Sequence, residues 1–241
     1  RGTRAAHRFR GGGVGQVEFV DQALDAMADA LDAGMVPILE ANRKDLTLAA
    51  GNGRTGAFLD RLTLNEKRIH DMADGLRHIR TLPDPIGEVT KMTTRPNGLT
   101  IGKRRVPLGL IGMIYEARPN VTADAAALAF KAGSSILLRG SASAFESNAA
   151  LVRVMRAALE KAGVTPDAVC LVEDTSREAV DQMLKLRDYI DLIIPRGGAS
   201  LIRNAVLNAT VPVLETGTGN CHVYIDESAD YAMAEAIVIN A

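Results

Sequence analysis

Glu215 and Cys221 bring a carboxylate and a thiol close together in the segment VLETGTGNCHVYID. Separated by glycines, such a pair could supply a general base and a cysteine nucleophile for covalent catalysis. The alternative interpretation makes Cys221 a small, buried residue that begins a strand. An activated thiol requires a cation or a helix N-terminus nearby, and the adjacent His222 would point to the opposite face of such a strand. The pattern favours packing roles for Cys221 and for Cys170, which lies within the apolar run AVCLVE.

Two loops combine an arginine with small residues immediately before a predicted helix. They are RGSAS, which contains Arg139, Gly140 and Ser141, and PRGGAS, which contains Arg196, Gly197 and Gly198. Free backbone N–H groups and the positive end of a helix dipole suit a phosphate group at such positions. Glycine before a helix is also common in ordinary turns, so either loop alone is weak evidence. Together they indicate a nucleotide site, although G-x-G-x-x-G and Walker motifs are absent from the sequence.

Arg139 ends the second predicted strand, at the place where an NAD-binding fold usually carries an acidic residue for the ribose. A guanidinium group there would instead bind a 2′-phosphate. The sequence therefore predicts NADP as the cofactor in preference to NAD.

Apolar runs alternate with helical patterns from residue 108 onward. The runs that indicate strands lie at 108–115, 135–140, 168–173, 190–195, 211–215 and 222–225. The intervening helices are predicted near 122–132, 147–162, 176–186 and 199–208. Continuous apolar strands between helices are typical of parallel sheets covered on both faces. We predict an open, parallel α/β sheet with a Rossmann-like domain over residues 108–241, and its ligands should bind beyond the carboxyl ends of the strands.

The first 107 residues have a different pattern. Apolar side chains recur at helical spacing between 16 and 80, so an N-terminal helical segment is predicted over residues 1–85. Residues 86–107 mix threonine and valine around a Pro-Asn-Gly turn, which predicts a projecting β-hairpin. The hairpin is either an oligomerisation arm or an ordinary surface hairpin.

Composition limits the class of protein. The 241 residues are 47% hydrophobic and 24% charged with a net charge of −1, values typical of a globular protein. This near-neutral balance gives no electrostatic reason to expect a nucleic acid or a membrane as a partner. Two cysteines and four scattered histidines form no zinc-binding pattern. We expect a cytoplasmic protein without a metal.

Three segments carry a close family resemblance: RRVPLGLIGMIYEARPNVTADAAALAFKAGSSILLRGSASAFESN, DLIIPRGGASLI and VPVLETGTGNCHVYID. They resemble the γ-glutamyl phosphate reductases, a branch of the aldehyde dehydrogenase superfamily. The resemblance extends from about residue 23 to residue 241, whereas residues 1–16 resemble the family poorly. It implies an aldehyde dehydrogenase-like cofactor-binding domain and the NADPH-dependent reduction of L-glutamyl 5-phosphate to L-glutamate 5-semialdehyde and phosphate, a step of proline biosynthesis.

The resemblance also implies where the attacking thiol belongs. In the family a cysteine thiolate attacks the acyl phosphate, phosphate leaves, and hydride from the nicotinamide reduces the thioester. That cysteine lies in a QRPS-x-C segment that follows the match to AIVINA. By this comparison the nucleophile lies beyond residue 241, and neither Cys170 nor Cys221 replaces it. We therefore expect a truncated chain that is inactive as given, and a protein that forms homo-oligomers when full length.

Other site residues are implied in the same way. Asn120 matches the superfamily asparagine that holds the oxyanion, with a helix N-cap as the structural alternative. Glu215 matches the general base of the oxidising enzymes, which a reductase needs less. Residues 139–141 resemble the adenosine-ribose loop and residues 196–198 the pyrophosphate loop. Arg118 is a candidate cation for the carboxylate or phosphate of the substrate, and a solvent-facing arginine is the alternative.

Two other functions remain open at this point. One is a related enzyme that acts on acyl-CoA substrates, a CoA-acylating aldehyde dehydrogenase. The other is a non-catalytic fragment that folds, binds NADP or pairs with another subunit through the hairpin.

Overall fold

The computed structural model describes residues 14–215, 217 and 221–240. Its helices are α1 (Val14–Ala33), α2 (Met35–Gly51), α3 (Ala57–Leu62), α4 (Glu66–Thr81), α5 (Asn120–Lys131), α6 (Phe145–Lys161), α7 (Arg177–Met183), α8 (Ala199–Asn208) and α9 (Tyr231–Asn240). Its strands are β1 (Val89–Thr94), β2 (Thr100–Arg104), β3 (Leu110–Tyr115), β4 (Ser135–Arg139), β5 (Val169–Leu171) and β6 (Leu192–Arg196).

Strands β3 to β6 form one parallel sheet in the order β5-β4-β3-β6, which confirms the predicted open α/β architecture. The predicted strand at 211–215 contributes a single bridge, between Val213 and Ile193. The predicted strand at 222–225 is wrong, because that segment forms no strand. Its alternating apolar residues fit a strand locally, but a strand also requires a partner for its backbone groups.

Helices cover both faces of the sheet. Strand β3 alternates its side chains between two hydrophobic clusters: Ile111 and Tyr115 belong to one, and Leu110 and Ile114 to the other. The first cluster includes residues of α1, α4, α5 and α6, and the second includes residues of α7 and α8. Because both faces are buried, β3 reads as a continuous apolar run in the sequence.

The N-terminal helices belong to the first cluster. Helix α4 begins after Asn65, whose side chain accepts a hydrogen bond from the backbone N–H of Arg68 at 2.8 Å. Its buried residues recur every three or four positions: Ile69, Met72, Ala73, Leu76 and Ile79. The helical prediction is confirmed from residue 14 to residue 81, and residues 1–13 lie outside the described residues.

The predicted β-hairpin is present. Strands β1 and β2 pair antiparallel, with Thr94 opposite Thr100 and Gly98 in the turn at a φ of 83°. All residues of both strands are exposed. The proposed role of the hairpin as an oligomerisation arm stays a prediction.

None of the helices in the described ranges combines the length and the apolar character needed to cross a membrane. Among those same residues, no group of three or more His, Cys, Asp or Glu side chains could hold a metal ion.

Candidate active site

The strand order of the sheet reverses between β3 and β6, which places a crevice beyond the carboxyl ends of these two strands. Tyr115 and Arg196 are register partners at those ends. A cavity of about 300 Å³ lies here. It is lined by Arg61, Tyr115, Glu116, Arg118, Val121, Arg196, Gly197 and Gly198. The PRGGAS loop and Arg118, both predicted from the sequence, therefore meet at one site, and Arg61 joins them from α3.

The side chain of Glu116 binds the backbone N–H of Gly198, a group that the sequence predicts to bind a phosphate. Its Oε1 accepts a hydrogen bond from the N–H of Gly198, the residue before α8, at 2.9 Å. A Cβ atom at Gly197 would lie 2.8 Å from the Glu116 side chain, so only glycine fits there without a shift. An anion that binds to this N–H must displace the carboxylate.

The RGSAS loop is held mainly by contacts within the protein. The side chain of Ser141 accepts a hydrogen bond from the N–H of Ser143 at 3.2 Å, at a short 3₁₀ turn that precedes α6. Asp45 of α2 accepts the N–H groups of Glu146 and Ser147 at 3.2 and 2.8 Å and the Ser147 hydroxyl at 2.6 Å. A buried carboxylate therefore already binds these N–H groups at the start of α6, and the assignment of residues 139–141 to a cofactor loop stays a prediction.

Gly140 has a packing role. A Cβ atom there would lie 2.2 Å from Nδ2 of Asn148. The other end of that amide accepts a hydrogen bond from the Thr122 hydroxyl at 2.9 Å, and the Tyr115 hydroxyl lies 2.7 Å from the same Thr122 oxygen. Burial raises the pKa of Tyr115 above its usual value. This buried polar chain fixes α5, α6 and the end of β3 relative to one another.

Arg139 is half-buried at the end of β4. Its Nη2 donates to the carbonyl oxygens of Thr175 and Ser176 at 2.6 and 2.8 Å, so it connects the loop after β5 to the end of β4. Its Nε is buried and has no hydrogen-bond partner. Burial lowers the pKa of Arg139, and the charge of nearby Asp174 opposes that effect. Part of the guanidinium group is thus engaged within the protein.

A second cavity, of about 400 Å³, adjoins the first. It is lined by Asp60, Arg61, Thr63, Leu64, Arg68, Asp71, Met72, Arg118, Asn120 and Asp124. Arg61 and Arg118 line both cavities. Asn120 is the first residue of α5 and Pro119 is its cap, so the N-cap alternative for Asn120 is wrong. The Asn120 side chain donates a long hydrogen bond of 3.4 Å to Asp124.

Glu215 is exposed and lines neither cavity. Cys221 is exposed too, so the predicted burial of that residue is wrong. Cys170 is half-buried on β5, where burial raises the pKa of the thiol although Nη1 of Arg156 lies 3.4 Å from the sulfur. Neither thiol lines either cavity, and a raised pKa disfavours the thiolate at Cys170.

Sequence reasoning missed three residues at the site. Arg61 lies in a helical stretch without a motif, Glu116 lies inside the YEARPN segment without an assigned role, and Asp124 follows that segment. The only available signal was the clustering of charged residues beside apolar strand and helix patterns.

Comparison with known proteins places these features in a family context. The aldehyde dehydrogenase family profile matches residues 38–241. Over 221 residues, or 92% of this chain, it is 59% identical to a protein from Moorella thermoacetica named gamma-glutamyl phosphate reductase and 55% identical to one of the same name from Carboxydothermus hydrogenoformans. The alignment covers 53% of each relative, so the chain spans about half the length of the curated relatives it matches.

Solved structures give the same result. The crystal structure of gamma-glutamyl phosphate reductase from Thermotoga maritima matches with a TM-score of 0.86 and 44% identity, covering 99% of this chain and 57% of that one. A probable aldehyde dehydrogenase from Listeria monocytogenes matches with a TM-score of 0.69 at 18% identity, covering 90% of this chain and 44% of that one. The second match supports the fold alone.

Proposed function

We propose that this chain, which belongs to the aldehyde dehydrogenase family, forms the cofactor-binding part of an enzyme that reduces L-glutamyl 5-phosphate. The products would be L-glutamate 5-semialdehyde and phosphate, as a cytoplasmic step of proline biosynthesis, with NADPH as the reductant. The observation that carries this proposal is the arginine-lined cavity at the switch point between β3 and β6. Its lining suits a phosphorylated substrate.

The described residues fit NADP. Gly197 and Gly198 leave room for close approach of a pyrophosphate, and the Gly198 N–H becomes available once the Glu116 carboxylate moves. The unpartnered Nε of Arg139 marks a guanidinium group whose hydrogen-bonding capacity is not filled by the protein, and it would bind the 2′-phosphate. When bound, the nicotinamide would supply the hydride.

The phosphate of the substrate would lie in the first cavity, with the acyl group at the junction with the second cavity, which Asn120 lines. Arg118 and Arg196 would bind this phosphate by charge-assisted hydrogen bonds, and the Asn120 amide would donate to the acyl oxygen as negative charge develops there. The attacking thiol would be neither Cys170 nor Cys221, since both lie outside the two cavities. Glu215 would at most order water, because a reductase has little need of a hydrolytic base.

The cofactor proposal is tested by titrating the chain with NADPH and with NADH and following nicotinamide fluorescence. We expect tighter binding of NADPH, and a preference that Arg139→Met removes and Arg139→Lys keeps in part because lysine retains the charge. Equal affinities for the two nucleotides would contradict NADP specificity, and no binding of either would contradict the assignment of a cofactor-binding domain.

The reaction is tested in a chimera in which this chain replaces the 221 matching residues of the Moorella thermoacetica relative. We expect the chimera to oxidise NADPH with L-glutamyl 5-phosphate and to leave acyl-CoA unreacted. The reverse preference would favour the CoA-acylating alternative, and loss of activity in a folded chimera would favour a chain that only binds the cofactor.

A further inference from the structure

We propose that the second cavity binds the amino-acid end of the substrate, with Asp124 as the partner of the α-ammonium group and Arg61 as a partner of the α-carboxylate. This inference rests on the proposed function, since it names the part of the site that would distinguish an amino-acid substrate from a simple acyl phosphate.

The position of the second cavity suits this role. The two cavities share Arg61 and Arg118, so a ligand that extends from one into the other passes both guanidinium groups. A volume of about 400 Å³ is ample for the head group of a small metabolite. The reacting end would lie beside the PRGGAS loop, and the other end would lie between α3, α4 and α5.

The ion pairs among the described residues show which carboxylates of the second cavity have a cationic partner within the protein. Asp60 is paired with Arg68 at 2.8 Å, and Asp71 is paired with Lys67 at 2.7 Å. Asp124, in contrast, forms no ion pair with any described residue, and its one hydrogen bond is the long contact of 3.4 Å from Asn120. The cavity therefore contains one carboxylate whose charge the protein does not balance.

The environment of Asp124 makes this imbalance costly. The side chain lies between helices, with its Oδ1 3.8 Å from the place that a Cβ atom of Gly75 would occupy. Burial raises the pKa of the Asp124 carboxyl, and the hydrogen bond from Asn120 only partly offsets it. A half-buried carboxylate is stabilised by a cation at hydrogen-bonding distance, and an α-ammonium group supplies one.

Two arginines that line the second cavity could bind the anionic groups of the same ligand. In the part of the chain that the structure describes, neither Arg61 nor Arg118 forms an ion pair. Arg61 donates one hydrogen bond within its own helix, from its Nε to the carbonyl oxygen of Ala57 at 3.0 Å. One carboxylate and two guanidinium groups are thus left for a ligand that carries one ammonium group and more than one anionic group. L-Glutamyl 5-phosphate has that charge pattern, and an acyl phosphate without an amino group lacks its positive part.

The experiment compares the binding of L-glutamate and glutarate to the intact chain by isothermal titration calorimetry. The two probes have the same carbon chain and carboxylates, and only L-glutamate carries the ammonium group. We expect the parent chain to prefer L-glutamate. Asp124→Asn should weaken L-glutamate binding about tenfold or more, the usual worth of a hydrogen bond to a charged group, and remove the preference.

Two further variants separate the role of Asp124 from that of Arg61 and from a general loss of surface charge. Arg61→Gln should weaken L-glutamate and glutarate alike and keep the preference, because both probes carry the carboxylate that it would bind. Asp74→Asn is the matched control: Asp74 lies on the neighbouring helix α4, pairs with Arg77 at 3.0 Å and lines neither cavity, so this variant should behave as the parent. Thermal melts confirm that each variant is folded.

The inference is overturned if the parent binds the probes equally or not at all, or if folded Asp124→Asn keeps the preference. These outcomes are distinguishable from failure of the proposed function. If the chimera fails to reduce L-glutamyl 5-phosphate while the Asp124-dependent preference persists, the proposed reaction is contradicted and the head-group site is supported. If the chimera is active and the preference is absent, the reaction is supported and the head-group site is contradicted.

Discussion

At the scale of single residues, carboxylates occupy the backbone N–H groups that the sequence predicts for phosphates. Glu116 binds the N–H of Gly198, and Asp45 binds the first N–H groups of α6. The two differ in consequence. Glu116 is an exposed side chain at a cavity and can be displaced, whereas Asp45 is 2% exposed and fixed by three hydrogen bonds. Of these N–H groups, only that of Gly198 is therefore available to a cofactor.

Gly197→Ala should therefore weaken NADPH binding more than Gly198→Ala does. The new Cβ atom at Gly197 would lie 2.8 Å from the Glu116 side chain and force it to move beside the nucleotide site, whereas the nearest Glu116 atom to a Cβ at Gly198 is 3.5 Å away. The φ of −67° at Gly198 is accessible to alanine. Fluorescence titration with NADPH measures both affinities, and equal weakening would contradict this explanation.

At the scale of elements, two kinds of contact position the site. Asp45 joins α2 to the start of α6 through hydrogen bonds across about a hundred residues of sequence. Gly112 on β3 lets α7 and β6 approach the strand closely, because a Cβ atom there would lie 2.6 Å from side-chain atoms of both Ile193 and Met183. The loops of the site are held by these contacts rather than by local conformational preference.

Ser147→Ala should destabilise the protein in a pH-dependent way. The variant loses the hydroxyl that donates to Asp45 at 2.6 Å, a loss of about 1.5–3 kcal/mol for a bond to a charged group. Burial already raises the pKa of Asp45 above its unfolded value, so ionisation of Asp45 costs stability as the pH rises through the folded pKa. The variant raises that pKa further, and its deficit should be largest at neutral pH and shrink as the pH falls.

Denaturant unfolding between pH 4 and pH 8 measures this effect. Ser135→Ala is the control, because the Ser135 hydroxyl is buried without a hydrogen-bond partner. Its removal should cost little and show no such pH dependence. A pH-independent deficit in Ser147→Ala would show that Asp45 is not the group involved.

Gly112→Ala should lower the free energy of unfolding by about 1–3 kcal/mol, the usual cost of overpacking a core. Gly51→Ala is the matched change in open space, since no atom lies within 4 Å of its Cβ position at the end of α2. It should leave stability unchanged or raise it by up to about 1 kcal/mol. Urea titrations of the two variants compare them directly, and a neutral Gly112→Ala would contradict the close packing of β3 against α7.

At the scale of the whole molecule, one sheet lies between two helix layers and the hairpin projects from it. Both hairpin strands are exposed throughout, including the large apolar side chains of Met92 and Ile101. Helix α9 is similarly exposed, with Ala234 as its buried residue. The core that supports the site therefore does not depend on the hairpin.

Replacing β1 and β2 by an Asn-Gly turn that joins Glu88 to Arg105 should leave the melting temperature nearly unchanged. The two residues already pair at the base of the hairpin, where the N–H of Arg105 donates to the carbonyl oxygen of Glu88 at 2.9 Å, so a tight turn can join them. If the hairpin is an oligomerisation arm, the change should abolish self-association in sedimentation experiments. Self-association that persists unchanged without the hairpin would contradict that role.

The sequence alone determined the α/β class, the helices and most strands, the hairpin and the family resemblance. These features depend on local periodicity, turn residues and contiguous segments, which the sequence contains directly. The failures were specific: the segment at 222–225 lacks a strand partner, and Cys221 is exposed.

Only the tertiary structure decided which groups fill the site. Glu116 meets Gly198 across 82 positions, Asp45 meets Ser147 across 102, and Arg61 reaches the cavity from a helix that no motif distinguishes. Hydrogen bonding and charge balance depend on distance in space, whereas periodicity depends on distance along the chain. The sequence could therefore indicate candidate positions for anions, and only the fold revealed which of those positions the protein's own carboxylates already hold.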